Sequence, residues 1–503
     1  MIGAPSVWPL VAVSLAAASL SCIILLQFSW APLMQRIIEG CVQGLSAIFD
    51  PDLSDREKER TVQAAGGSVL IAAMGMGWRA GLAILGAALP IVLADHIDWV
   101  GAREVIAFLM SVEFIFGTTL LAVCSHLALR KLRPQRDHAP PDGNSAADQL
   151  VHTFAFAAPW IMKTSASIDD FMIGRGRINA HDPRPIFVTS LARAGTTSVL
   201  NALHSCPNVA AHQYRDMPFI TAPWTWAKLS RGRTVARRPR AHGDGMLIDL
   251  DSPEAFDEVL WKLHWPEKYE SRAIRLWSEA DHDPRKVDRL ARNFAKIVAL
   301  RSADDAPRQD RRYVSKNNAN IARLSMLDTA FPGAQIVVPL RRPGPHAKSL
   351  HRQHLNFLKL HAEAPFTKRY MRDLGHFEFG ALHRSIDFPA QAENPFDPSE
   401  ENYWLYYWVA AFRQVRRHRH KCIFLLQDSL RADPEQTMAR LIDRLDLKAP
   451  RQGFQSFFKS GEDVCDTSAF APKWLSAAED LYQDLARDAI YAMPAETRYR
   501  APR

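Results

Sequence analysis

The 503-residue sequence contains no Cys-x-x-Cys pair and no zinc-finger spacing. Its six cysteines, Cys22, Cys41, Cys124, Cys206, Cys422 and Cys465, are scattered. That argues against a clustered metal or dithiol site and reads as unpaired thiols in a reducing compartment. There is no internal repeat and no long low-complexity tract. Nor is there an aromatic single-strand motif or a basic heptad region, so the net charge of +8 points away from nucleic acid. Anionic small molecules and lipid headgroups remain as partners of a basic chain. Composition leaves the oligomeric state undetermined.

Charge is also missing from residues 7–28. At 1.5 Å per residue this apolar run matches the roughly 30 Å hydrocarbon core of a bilayer. A cleaved signal peptide would carry a positive amino-terminal region, which is absent, so the run is expected to stay as a span. Two further apolar runs, 66–93 and 105–129, flank a short loop with Asp95, His96, Asp98 and Arg103. The last run ends in Arg130, Lys131, Arg133 and Arg136, and the positive-inside rule puts the residues after 130 in the cytosol. The expectation is a multi-pass membrane protein with a three-span region over 1–130, a linker over 131–150 and a cytosolic domain over 151–503. Arg79 and Glu113 fall near mid-bilayer, where a lone charge is costly. They are expected either to pair and lock the hairpin or to form a polar site for a lipid-linked substrate.

Beyond the linker, β-rich runs at 185–189, 334–340 and 422–426 alternate with helical patterns at 198–204 and 434–445. This alternation predicts an α/β domain with a parallel sheet flanked by helices. An interfacial or packing helix is expected over 149–172.

The run 185–189 leads into Ser190-Leu191-Ala192-Arg193-Ala194-Gly195-Thr196-Thr197-Ser198 and then a helix. A strand, a small-residue loop and a helix amino terminus form a phosphate cradle, with backbone N–H groups aimed at anionic oxygens. The loop lacks the Gly-Lys-Ser/Thr ending that couples an NTPase loop to magnesium, so a kinase or NTPase is the weaker alternative. A noncatalytic membrane scaffold is a further one.

Arg193-Ala194-Gly195-Thr196-Thr197 resembles the 5′-phosphosulfate loop of sulfotransferases, with Ala194 in place of the usual Ser. The resemblance implies 3′-phosphoadenosine 5′-phosphosulfate as donor, with Arg193 at the phosphosulfate bridge and Gly195, Thr196, Thr197 and Ser198 at the 5′-phosphate. A second stretch, Ile336-Val337-Val338-Pro339-Leu340-Arg341-Arg342-Pro343, followed by Ser349, resembles the family's 3′-phosphate site. There an Arg at the strand end and a Ser eight residues later hold the phosphate, here Arg341 and Ser349. Arg342 replaces the family's usual Asp. Lys316, in Tyr313-Val314-Ser315-Lys316-Asn317, resembles a family Lys that approaches the active site, which implies that it neutralises sulfuryl oxygens. Asn317 reads equally as a helix cap.

The acceptor, a hydroxyl or amine on a lipid, glycan or small molecule, needs a base. Asp216 and His212 are the candidates, since Gln213 and Tyr214 stand where relatives of the family carry Glu. Histidines 346, 351, 354 and 361 are expected to line a basic, solvated helix rather than bind a metal, and no metal is expected in the reaction.

Overall fold

The computed structural model describes residues 8–28, 30–49, 54–111, 114, 146–174, 184–230, 238–239, 247–254, 256–302, 311–461, 463 and 465–491. The chain divides into two compact units, Met1–Ala158 and Pro159–Arg503.

In the first unit, α1 (Trp8–Gln27) and α2 (Ala31–Phe49) both pack on α3 (Asp55–His96). A Cβ on Gly40 of α2 would lie 2.6 Å from Val69 Cγ2, so glycine permits the close approach of those helices. Helix α3 begins with a capping box in which Glu57 Oε2 accepts from the Ser54 amide at 2.9 Å and its hydroxyl at 2.6 Å. Two helices, α1 and α3, are long and apolar enough to cross a membrane. Leu70, Ile71, Trp78, Ile84 and Leu85 of α3 are each more than 60 % exposed, an apolar surface that water does not favour.

Several sequence expectations meet the structure here. Between the first two apolar runs, residues 31–49 and those from 55 onward are helical, as α2 and the start of α3. Two of the expected spans correspond to candidate membrane helices among the described residues, α1 and α3. In the third run, α4 (Ala102–Leu109) stops at its C-cap Met110, and Glu113 with nearly all the remainder lies outside the described residues. Arg79 lies with its guanidinium carbon 5.4 Å from the Phe28 ring centroid. The linker is outside the described residues as far as 145, and α5 (Ala146–Ala155) fills its end. The single helix expected over 149–172 is two, α5 and α6 (Pro159–Ile173).

The second unit contains a five-stranded sheet built from β1 (Ile186–Val188), β2 (Val209–Ala210), β3 (Arg312–Lys316), β4 (Gln335–Leu340) and β5 (Cys422–Leu426), in the order β2-β3-β1-β4-β5. All pairings in it are parallel. Burial on both faces is why β1, β4 and β5 read as nearly unbroken apolar runs rather than alternating ones. Helix α7 (Thr196–His204) buries Val199, Leu200 and Leu203 with Met438 and Leu441 of the helix Pro434–Arg444 in a core that includes Val188 and Val337.

Register sets the site. Val188 pairs with Lys316 on one side and Val337 on the other, while Leu340 pairs with Leu426. The segments following β1, β3, β4 and β5 therefore leave from one edge, the carboxyl ends of the strands, where open α/β sheets bind ligands.

Candidate active site

The β1–α7 loop is held in a shape that its sequence explains. Arg193 has φ 71° and Gly195 has φ 93°. The left-handed region is natural for glycine but strained for arginine, so surrounding bonds must hold the loop at Arg193. Two do so from behind. The Arg193 carbonyl accepts from Arg341 Nη1 at 2.9 Å, and the Ala192 carbonyl lies 2.7 Å from His346 Nε2. Trp408 Nε1, which can only donate, reaches His346 Nδ1 at 3.1 Å, so the imidazole carries its proton on Nε2 and donates to Ala192. Burial and the nearby Arg341 push the His346 pKa down to about 3, keeping the ring neutral.

The two Arg-bearing motifs meet. Arg193 Nε donates to Ser349 Oγ at 3.3 Å, and Arg193, Arg341, Ser349 and Lys316 all line one cavity of about 550 Å³. The loop residues Gly195, Thr196, Thr197 and Ser198 line it too, whereas Ala194 is fully buried behind them. The Arg341 fork is filled by a carboxylate: Nε and Nη2 reach Asp463 at 2.6 and 2.8 Å. Burial opposes ionisation of Asp463, but Arg341 prevails and holds its pKa below the usual carboxylate value. Arg342 instead pairs with Asp428 at 2.7 Å on the surface.

Lys316 reaches the cavity from the end of β3, its Nζ 3.6 Å from Glu254 Oε1. Asn317 caps the following turn by accepting from the Ala319 amide at 3.0 Å. Its neighbour Asn318 links two sides of the site: Oδ1 accepts from Thr196 Oγ1 at 3.1 Å and Nδ2 donates to Glu378 Oε1 at 3.1 Å.

His212 and Asp216 are placed elsewhere. Neither lines this cavity. Asp216, 2 % exposed, accepts from Arg301 Nη2 at 2.6 and 2.7 Å and from the Gln213 amide at 2.9 Å, and lies 3.1 Å from His212 Nδ1. Burial raises its pKa, but Arg301, His212 and the Gln213 amide overcome that and hold it at about 2. His212 Nε2 donates to Asn293 Oδ1 at 2.9 Å, Asn293 in turn donating to the Ile220 carbonyl. The pair ties the segment after β2 to the helix Pro284–Arg301. The expected solvated histidine face is also corrected: His346, His354 and His361 are buried, because α8 (Pro343–Glu363) packs that side under the helix Glu401–Arg417 and the segment 380–382. No group of residues suited to a metal ion occurs among the described residues.

Sequence reasoning missed Arg352, Glu378, Gln427, Arg431 and Lys459, all on the cavity wall. Gln427 follows β5 and its Oε1 is buried without a hydrogen-bond partner. The only signal available for it was its position one residue past a strand of the sheet edge that binds.

Residues 185–384 match a family model described as the sulfotransferase family. No curated protein matches the chain. Among solved structures, the chain is similar to sulfotransferase STF9 from Mycobacterium avium at 13% identity, covering 68% of this chain and 86% of that one with a TM-score of 0.39. It is similar to sulfotransferase STF1 from Mycobacterium tuberculosis H37Rv at 15% identity, with 69% and 88% covered and a TM-score of 0.36. The sulfotransferase domain of the olefin synthase from Synechococcus PCC 7002 is 14% identical, with 63% and 98% covered and a TM-score of 0.26.

Proposed function

From the match of residues 185–384 to the sulfotransferase family model, we propose that the chain transfers a sulfuryl group from 3′-phosphoadenosine 5′-phosphosulfate to a hydroxyl or amine acceptor at the cytosolic face of a membrane. One observation carries this reading. Arg193 and Arg341, 148 positions apart, hydrogen-bond to each other on the wall of a single cavity at the carboxyl ends of parallel strands.

The wall fits a polyanionic nucleotide. Its lysines and arginines are Arg193, Lys316, Arg341, Arg352, Arg431 and Lys459, and Glu378 is its one carboxylate among the described residues. A site so unbalanced favours phosphate and sulfate groups, which a guanidinium meets with a planar fork; that of Arg341 holds Asp463 until the ligand displaces it. The amide of Gln427 supplies an acceptor for the rest of the ligand.

In this reading the amino terminus of α7, with Thr196 and Thr197, binds the 5′-phosphate, and Arg341 with Ser349 binds the 3′-phosphate. Arg193 and Lys316 neutralise the charge that develops as the sulfuryl group leaves its phosphate, which is electrostatic stabilisation by groups already in place. The co-substrate supplies the activated sulfur, and no metal has a part in these roles. Helices α1 and α3 support anchoring in a bilayer, and the basic cluster at 130–136 supports a cytosolic position for the second unit. A lipid or lipid-linked glycan acceptor suits that tether.

The test is binding of adenosine 3′,5′-bisphosphate against ATP with magnesium, repeated for Arg193→Ala and Arg341→Ala. Tighter binding of the bisphosphate, lost in both variants, is expected. Preference for ATP would mark a nucleotide kinase or NTPase, and no binding of either would mark a scaffold.

A further inference from the structure

Helix α6 turns a charge inward and its rings outward. Ile161, Ser165, Asp169 and Ile173 recur at every fourth position and share its inner face. Asp169 is fully buried. It accepts from the backbone amides of Trp224 and Thr225 at 3.3 and 2.6 Å and lies 3.2 Å from Nζ of the buried Lys296. Ser165 Oγ meets Thr221 Oγ1 at 2.9 Å, and Ile173 packs with Ala295, Ala299 and Trp224. A buried carboxylate held by an ammonium and two amides fixes the rotation of the helix, since turning it would strand the charge.

That rotation leaves Trp160, Ile168, Phe171 and Met172 in the open, Phe171 being 86 % exposed. On the helix Pro223–Leu229, which packs on α6, Leu229 is 75 % exposed. A helix that faced only water would carry the reverse pattern, with polar groups outside and rings within.

Charge distinguishes the partner. Lys163 is exposed on α6, and Lys228 is exposed next to Leu229. Asp170 of α6 is taken up by Lys296 Nζ at 2.7 Å. In the sequence, residues 217–243 contain Lys228, Arg231, Arg233, Arg237, Arg238 and Arg240 and no Asp or Glu. Two copies of so basic a surface would repel one another. Anionic headgroups attract it, and tryptophan, phenylalanine and lysine on one face suit the boundary between headgroups and acyl chains.

We propose that α6 and the helix Pro223–Leu229 form an interfacial contact of the second unit with an anionic bilayer surface, lying in the headgroup plane rather than crossing it. The inference shares the membrane setting of the proposed function but none of its chemistry. Trp160, Phe171 and Leu229 enter the acyl boundary, and Lys163 and Lys228 meet lipid phosphates. This contact is distinct from any span made by α1 and α3.

The full-length protein is reconstituted in nanodiscs holding a phosphatidylcholine with a diazirine on its acyl chain, with and without phosphatidylglycerol. After irradiation the labelled peptides are located by mass spectrometry, and adenosine 3′,5′-bisphosphate affinity and Tm are measured for each variant. Labelling within Pro159–Ile173 and Pro223–Leu229 is expected. It should rise about fivefold with phosphatidylglycerol, the effect of one lysine or arginine near an anionic surface, and fall again at high salt. The double variant Phe171→Ser with Leu229→Ser should lose labelling about tenfold or more at unchanged bisphosphate affinity and Tm, and Phe171→Trp should retain it. Absence of label from α1 and α3 as well would overturn the membrane reading as a whole. With α1 and α3 labelled, three results would each overturn this contact: no label on the two helices in anionic discs, a double variant labelled like wild type, or cross-links from these helices to a second copy of the chain. Labelling as expected without bisphosphate binding would support the contact and overturn the sulfuryl-transfer reading alone.

Discussion

The guanidinium of Arg341 donates to the backbone carbonyl of Arg193 over 2.9 Å, while its other nitrogens grip Asp463. One side chain thereby braces a loop residue with φ 71° and presents charge to the cavity. Arg341→Ala removes both. A charge-assisted hydrogen bond contributes about 1.5–3 kcal/mol, so affinity for adenosine 3′,5′-bisphosphate should fall about 10- to 100-fold by calorimetry. Arg341→Lys should recover little, because an ammonium cannot serve the carbonyl and an anion in the same fork.

Asp463 occupies the position in which an anion would meet Arg341, with Arg431 a further 3.8 Å away. Replacing it by Asn removes a competing carboxylate from a site that is 10 % exposed. Asp463→Asn should bind the bisphosphate more tightly and have a lower Tm. The opposite signs matter: a weaker-binding variant would show that Asp463 helps to shape the site instead.

Asp216 has a folded-state pKa of about 2 against 3.8 for the free side chain. A depressed carboxylate contributes stability that is fully present above the unfolded value and lost as pH falls through the folded one. The shift corresponds to about 2 kcal/mol, given up between about pH 4 and 2. Urea titrations at pH 7 and pH 3 should show about half of that loss, and Asp216→Asn should abolish this part of the pH dependence. At pH 7 that variant leaves Arg301 unpaired and should be about 3–5 kcal/mol less stable, while its folded fraction keeps its turnover.

His346 is depressed from 6.5 to about 3. A histidine buried in its neutral form stabilises fully above the unfolded pKa. That stability declines as pH drops from about 6.5 towards 3, where the unfolded chain binds the extra proton. His346→Phe should flatten this stretch of the Tm-against-pH curve. It also frees the Ala192 carbonyl from its donor, so KM for the sulfuryl donor should rise several-fold with a smaller change in kcat.

Along α3, Ile71 and Ile84 are 67 % and 69 % exposed. If that face meets lipid, each Ile→Arg change costs about 2.5–3.5 kcal/mol near the bilayer centre. The wild-type protein should remain in the pellet after alkaline carbonate extraction, and the double Arg variant should be released or degraded. Equal retention of both would place that face against protein.

The parallel sheet was legible because strands covered on both faces leave continuous apolar runs, and those at 334–340 and 422–426 coincide with β4 and β5 to within one residue. The short strand β2 was not, since two residues, Val209–Ala210, carry no periodicity. The phosphate loop and Arg341 were legible for a different reason: local chain geometry and the ligand contact fall in the same few residues. Glu378 left no such trace, because what distinguishes it is a bond to Asn318, 60 positions earlier.

By itself, then, the sequence determined the elements whose signal is local: apolar length in α1 and α3, the order of strands and helices, and two Arg-bearing turns. Tertiary structure alone decided which distant groups share a boundary. It buried Asp216 against Arg301, filled the Arg341 fork with Asp463 and joined Glu378 to Asn318 on the wall of a cationic cavity. Those outcomes depend on strand order and packing, in which every contact joins segments that the linear pattern treats as independent.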